Sequence, residues 1–187
     1  ERARDLYGRL GERGSMLGED EVAFRRGACA ESLGDTASAE ALFRTAADVN
    51  PAHGGALEGL ARLALVRGDA PAAAVALQSM LDSLPVHEQS RAAEVRQELG
   101  DLHLRAGHDG LARECFEAVI AYDPNRVSAI DPLAAILERS GALHEAAALY
   151  DRASRLHVDA RVRADRLLRA GELLRAQGEV EAAAEAF

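Results

Sequence analysis

One pattern returns along the sequence at a period of 34 residues, and it limits the possible folds more than any other feature. Pro51 and Pro85 stand 34 residues apart, Pro124 follows 39 later, and Val158 holds the equivalent place another 34 on. A glycine lies 17 residues before each of them (Gly34, Gly68, Gly107, Gly141). A small residue lies 12 before (Ala39, Ala73, Ala112, Ala146) and a bulky one 8 before (Phe43, Leu77, Phe116, Tyr150). A further copy starts near Ala164, with Gly178, Ala183 and Phe187 in register. The units run 20–53, 54–87, 93–126, 127–160 and, in part, 164–187. Such a period belongs to stacked supersecondary units, each unable to bury its apolar face without its neighbours.

The physics of one unit follows from its spacing. Its first helix carries a core stripe at its fourth, seventh, eighth and eleventh positions, one face of a helix. In the second unit these are Leu57, Leu60, Ala61 and Ala64; in the third they are Arg96, Leu99, Gly100 and His103. The small member of the stripe (Gly27, Ala61, Gly100, Ala134, Gly171) lets a partner helix come close. The glycine that follows ends the helix in a left-handed cap, which it adopts without a Cβ clash. A second helix then sets its alanine and its bulky residue against the first, and proline closes the unit because a helix does not continue through it. Aromatic residues make up 4% and Trp is absent, so the core has to be alanine and leucine in close contact. No alternating run of β-branched residues predicts a strand. The inserts Glu88–Ala92 and Arg161–Arg163 lack Gly and Pro, which predicts longer first helices after them. Asp131-Pro132 falls inside a first helix. Either that helix starts late with Asp131 as N-cap, or its first turn is distorted.

Leu99-Gly100, Ala39 with Phe43, Ala112 with Phe116 and the unit-ending prolines together resemble the tetratricopeptide repeat, over nearly the whole chain. The chain departs from that pattern where the family often has Trp and Tyr: those places hold Ala23 and Ala30, Leu57 and Ala64, Arg96 and His103. The resemblance implies an all-α, right-handed superhelical solenoid of antiparallel helix pairs, and a binding function rather than a catalytic one. Ala3, Tyr7 and Leu10 mimic a second helix, so residues 1–19 read as the back of a preceding repeat plus a linker, and 20–187 as the array. The chain opens at Glu1 without Met and stops inside a helix, which reads as a piece of a longer array whose uncapped ends favour self-association. The expected location is the cytoplasm, with room for a signal or anchor upstream.

In this family the first helices line the concave face. A second stripe of each first helix therefore predicts the groove: Glu21, Phe24 and Glu31; Glu58, Arg62 and Leu65; Glu94, Gln97, Asp101 and Leu104; Asp131 and Glu138; Asp165, Leu168 and Glu172. Acids dominate it. Four have an Arg four residues on (Glu21–Arg25, Glu58–Arg62, Asp101–Arg105, Asp165–Arg169), the spacing of a solvated helix pair. Glu31, Glu94, Asp131, Glu138 and Glu172 have none. Phe24, Leu65, Leu104 and Leu168 stand there with no core to fill, as partner anchors would.

Net charge is −9 and every basic residue is Arg, which turns the reading away from nucleic acid. No stretch reaches the roughly 18 apolar residues of a membrane span. The Lys, Arg and Asn clamp with which some family members grip a terminal carboxylate is missing: Lys is absent, and Asn50 and Asn125 both flank a unit-ending proline. Glycine-rich phosphate loops, HExxH and GxSxG do not occur, so no catalytic, cofactor or metal residue is assigned. His103 and His108 would point about 140° apart on a continuous helix, and His53, His87 and His157 fall in loops at unit ends. Cys29 and Cys115 read as reduced, small apolar residues. The expected function is a scaffold holding a protein or peptide with basic residues in an acidic groove. The alternatives are the substrate-docking arm of a larger enzyme, or an assembly factor of a bacterial secretion, pilus or motility system.

Overall fold

The computed structural model describes residues 18–178. Nine α-helices and no strand occupy them: α1 Glu19–Ser32, α2 Thr36–Val49, α3 Gly54–Arg67, α4 Ala70–Ser83, α5 Gln89–Arg105, α6 Asp109–Tyr122, α7 Val127–Arg139, α8 Leu143–Leu156 and α9 Ala160–Ala176. The half-repeat expected from Ala3, Tyr7 and Leu10, and the terminal Ala183 and Phe187, lie outside the described residues. None of the described helices is long and apolar enough to cross a membrane.

The hairpin between first and second helices is built the same way each time. Gly34, Gly68, Gly107 and Gly141 have φ of 79°, 75°, 75° and 83°. The residue after each glycine donates its backbone N–H to the carbonyl five back: Asp35 to Ala30 at 3.0 Å, Asp69 to Ala64 at 2.9 Å, His108 to His103 at 2.8 Å, Ala142 to Leu137 at 2.9 Å. This is the left-handed glycine cap that satisfies the last carbonyls of a helix. Where that next residue is Asp, it also caps the following helix: Asp35 Oδ1 accepts from Ser38 N–H and Asp69 Oδ1 from Ala72 N–H, both at 3.1 Å. Between units, Asn50 and Asp123 turn the chain beside their prolines by accepting the N–H two residues on, each at 3.1 Å. Helices α5 and α9 are the long ones, 17 residues each against 13–14 elsewhere; α5 begins inside its insert and α9 one residue before its own.

The chain divides into two compact units at Val95/Arg96, inside α5. In the first, α1 packs on α2, α2 on α3 and α3 on α4. Phe43 of α2, fully buried, is the knob. A Cβ on Gly27 of α1 would lie 2.7 Å from its ring, and so would a Cβ on Gly59 of α3. One ring thus fills the space left by two glycines on the helices that flank it. In the second unit Phe116 of α6 stands in the same relation to Gly100 of α5, at 2.7 Å. There Phe116, Val119, Leu133, Leu137, Ala146 and Tyr150 share one core with Ala170 and Leu173 of α9.

First helices bury more than the expected stripe. In α3 Ala56, Gly59 and Leu63 are buried beside Leu57, Ala61 and Ala64, and in α7 Ala129 and Ile136 beside Ile130, Leu133, Ala134 and Leu137. Each of these two helices packs on its own partner and on the second helix before it, so it needs two apolar faces. In α5 Arg96 and His103 are only half-buried, and Leu99, Gly100 and Leu102 supply the core. Pro132 lies in the interior of α7, which starts at Val127 with Arg126 as N-cap. The late start at Asp131 is not adopted.

Candidate partner-binding face

The first helices turn most of the charged residues of the expected groove stripe away from their cores, and charges of α1 meet those of α3, α3 those of α5 and α7 those of α9, one repeat on. Arg62 of α3 grips Glu31 of α1 with two bonds, Nε to Oε1 at 2.8 Å and Nη2 to Oε2 at 2.6 Å. Arg91 of α5 reaches Glu58 of α3 at 2.7 Å and Glu94 of its own helix at 2.9 Å. In the second unit Arg166 of α9 holds Asp131 of α7 at 2.8 and 3.1 Å and Asp165 at 3.0 Å. Arg169 donates from Nε to Glu138 at 3.1 Å and from Nη1 to Glu172 at 2.8 Å. The Arg169 guanidinium therefore holds the Glu138 carboxyl below its ordinary range, with the Tyr150 hydroxyl, 3.1 Å away, helping. Burial first, and then the Glu138 charge, push the Tyr150 hydroxyl up to about 12.

This ladder replaces most of the pairs expected within single helices. Glu21–Arg25 forms. Arg62 and Arg169 turn to the preceding repeat instead, and Asp165 pairs with Arg166. Asp101 accepts from Gln97 Nε2 at 3.3 Å, and burial raises its carboxyl above the usual range. The acids without an Arg at four residues, Glu31, Glu94, Asp131, Glu138 and Glu172, all have a guanidinium partner. A spacing rule confined to one helix could not find those partners, because most come from the next repeat at 31–35 residues.

The apolar members divide. Phe24 does fill core: its ring lies 5.9 Å from Phe43 and 4.8 Å from His53, and a Cβ on Gly55 would meet it at 2.8 Å. Leu104 likewise packs against the core of the second unit. Leu65 and Leu168 are 40% and 49% exposed.

Two histidines expected in open loops are built into the joints. His53 is the N-cap of α3, its Nδ1 accepting from Ala56 N–H at 3.2 Å while Nε2 lies 3.4 Å from Glu21. His157 Nε2 lies 3.0 Å from Asp131 Oδ2. The His103 and His108 rings come to 6.0 Å, because the Gly107 cap breaks the helix between them and helical angles no longer apply. Among the described residues no third His, Cys, Asp or Glu joins them as a metal-binding group. Cys29 and Cys115 are free and half-buried, and burial raises the Cys115 thiol.

Two-helix units capped by glycine, keyed by one ring or leucine and linked by repeat-spaced ion pairs define a helical-repeat protein. The tetratricopeptide repeat pattern matches residues 24–87 and 98–160, and the chain belongs to the tetratricopeptide repeat family. No curated protein matches it. Among solved structures it is similar to YrrB, at 16% identity over 98% of this chain and 90% of that one, with a TM-score of 0.70. MamA from Desulfovibrio magneticus RS-1 is similar at 17% identity over 92% and 93%, TM-score 0.63. Pseudomonas aeruginosa pilF is similar at 18% identity over 99% and 89%, TM-score 0.60. At these identities the likeness is one of fold.

Proposed function

We propose that the chain is a protein-interaction scaffold that holds a protein or peptide along its first helices, and that the held segment is basic. The observation that carries this reading is the sharing of guanidinium groups. Arg91 serves Glu58 and Glu94, Arg166 serves Asp131 and Asp165, and Arg169 serves Glu138 and Glu172. One cation between two carboxylates leaves each such rung with a net negative charge. In the second unit the Arg166 and Arg169 rungs join the same two helices, α7 and α9, where like potentials add and speed association with the opposite sign. Leu65 and Leu168 on the same stripe offer apolar area once the segment has arrived. The YrrB structure is described as that of a tetratricopeptide repeat protein with an unusual peptide-binding site, which supports a peptide as the held form.

An array of immobilised peptides graded from acidic to basic tests this on the 187-residue chain. Basic peptides should be captured, and capture should fall as salt rises from about 0.1 to 1 M and the Debye length shrinks to about 3 Å. Glu58→Gln with Glu94→Gln, both about half exposed, should weaken capture several-fold. Glu117→Gln, on the second helix α6, removes the same kind of charge off the face and should change little. Capture that ignores peptide charge, or that Glu117→Gln weakens as much, overturns the reading.

A further inference from the structure

Asp131-Pro132 is a helix start written into the middle of a helix. Asp is among the best N-caps and Pro among the best first residues, so this dipeptide favours a helix beginning at Pro132. The observed helix begins five residues earlier, at Val127. Proline has no N–H, so the carbonyl four residues back, that of Ser128, loses its helical donor.

The missing donor comes from another helix. Gln97 Nε2 of α5 donates to Ser128 O at 3.1 Å, and Ser128 Oγ donates back to Gln97 Oε1 at 3.2 Å. The second hydrogen of Gln97 Nε2 goes to Asp101 Oδ1 at 3.3 Å. These contacts fix the amide orientation, since a flip would set Gln97 Oε1 against two acceptors. Asp131, the alternative cap, is occupied elsewhere: Arg166 holds it at 2.8 and 3.1 Å and His157 at 3.0 Å. Both contacts act in one direction. One completes the long helix, and the other withholds the residue that would start the short one.

We propose that Gln97 and Pro132 form a conformational latch: residues 127–131 are helical while Gln97 donates to Ser128 O, and without that bond α7 restarts at Pro132 with Asp131 as its N-cap. The proline makes the first turn of α7 depend on α5. A partner group that took the Gln97 amide would release the turn, so the latch couples the stripe that carries Gln97 to the N-terminus of α7.

Amide hydrogen exchange resolved by NMR on the full chain tests this as a double-mutant cycle. Gln97→Ala should speed exchange at the Ile130 and Asp131 amides about tenfold relative to Ile136 and Leu137. Gln97→Glu keeps the side chain's length but cannot donate, and should act the same way. Pro132→Ala restores the helical donor. In that background the new backbone amide at position 132 should be protected, and Gln97→Ala should change Ile130 and Asp131 by less than about twofold. The latch is overturned if Gln97→Ala acts equally in both backgrounds, if it leaves these amides unchanged, or if Gln97→Glu exchanges like the native chain. Pro132→Ala alone gives a reading that needs no weakened protein: an unprotected amide at position 132 also overturns the latch.

Discussion

Phe43 shows how one residue type sets what its neighbours can be. Its ring occupies the Cβ positions of both Gly27 and Gly59, at 2.7 Å each. Gly59→Ala should therefore cost about 1–3 kcal/mol in urea denaturation, the usual scale of an overpacked core, and Phe43→Leu in the same chain should recover part of it. Gly54→Ala is the control: no atom lies within 4 Å of its Cβ position, so stability should stay within about 0.5 kcal/mol. Gly27 is legible in the sequence because it falls on the recurring stripe, whereas Gly59 is not, because its contact is with the second helix of the preceding unit. Asp101 gives a residue-scale prediction of opposite sign. Burial holds its carboxyl above the usual range, so ionising it costs the folded state stability that is present below the unfolded pKa and lost as pH rises. Asp101→Asn can still accept from Gln97 and should raise the denaturation midpoint at pH 7, with the gain gone by about pH 3, where both forms are neutral.

At the scale of the element, the hairpin turn is the most legible part because its chemistry is local. A glycine that must take positive φ can be read from spacing alone, and Gly34, Gly68, Gly107, Gly141 and Gly178 all take it. The inserts, having no Gly or Pro, lengthen helices α5 and α9 as their composition requires. The residue after the glycine carries a second signal, which the glycine spacing by itself does not reveal: Gly34-Asp35 and Gly68-Asp69 pair a cap for one helix with a cap for the next. Asp69→Ala should lower stability by about 1 kcal/mol by chemical denaturation, since it leaves a first-turn N–H of α4 without its acceptor. Helix α7 departs from its sequence signal for a physical reason. The cap-and-proline pair is intrinsic to the chain, but tertiary contacts from Gln97, Arg166 and His157, which lie 26–35 residues away in sequence, overrule it. The buried faces of α3 and α7 are half-legible likewise, because a period of 3.6 shows a stripe but not that two neighbours claim the helix.

Across the whole molecule the repeat that sets the fold also sets the electrostatics. The face is legible as a row of residue types, Glu31, Glu58, Asp131 and Glu138 among them, but not as a network. Whether a carboxylate is open or paired depends on an Arg 31–35 residues on, a distance that acquires meaning only once the helices are stacked. Glu138 is the best-held rung, with its side chain 19% exposed and both Arg169 and Tyr150 donating to it. Its pKa is depressed in the folded state, chiefly by Arg169, so its contribution is present above the unfolded pKa and is lost as pH falls through the folded value. Glu40, held down by Arg67, and Asp109, held down by Arg139, carry the same sign. The thermal midpoint of the chain should therefore fall as pH drops from about 5 toward 2, and the Glu138 part can be isolated. Glu138→Gln preserves shape and can still accept from Tyr150, but it gives up the charge. At pH 7 it should unfold about 2–4 °C below the native chain, the scale of roughly 1 kcal/mol for an ion pair near the surface. As pH falls the native Glu138 becomes protonated and neutral like the glutamine, so the two melting curves, followed by circular dichroism, should converge by about pH 2. A gap that persists unchanged to that pH would mean that Glu138 acts through packing, and that the ladder's charges do not contribute to the stability of the stack.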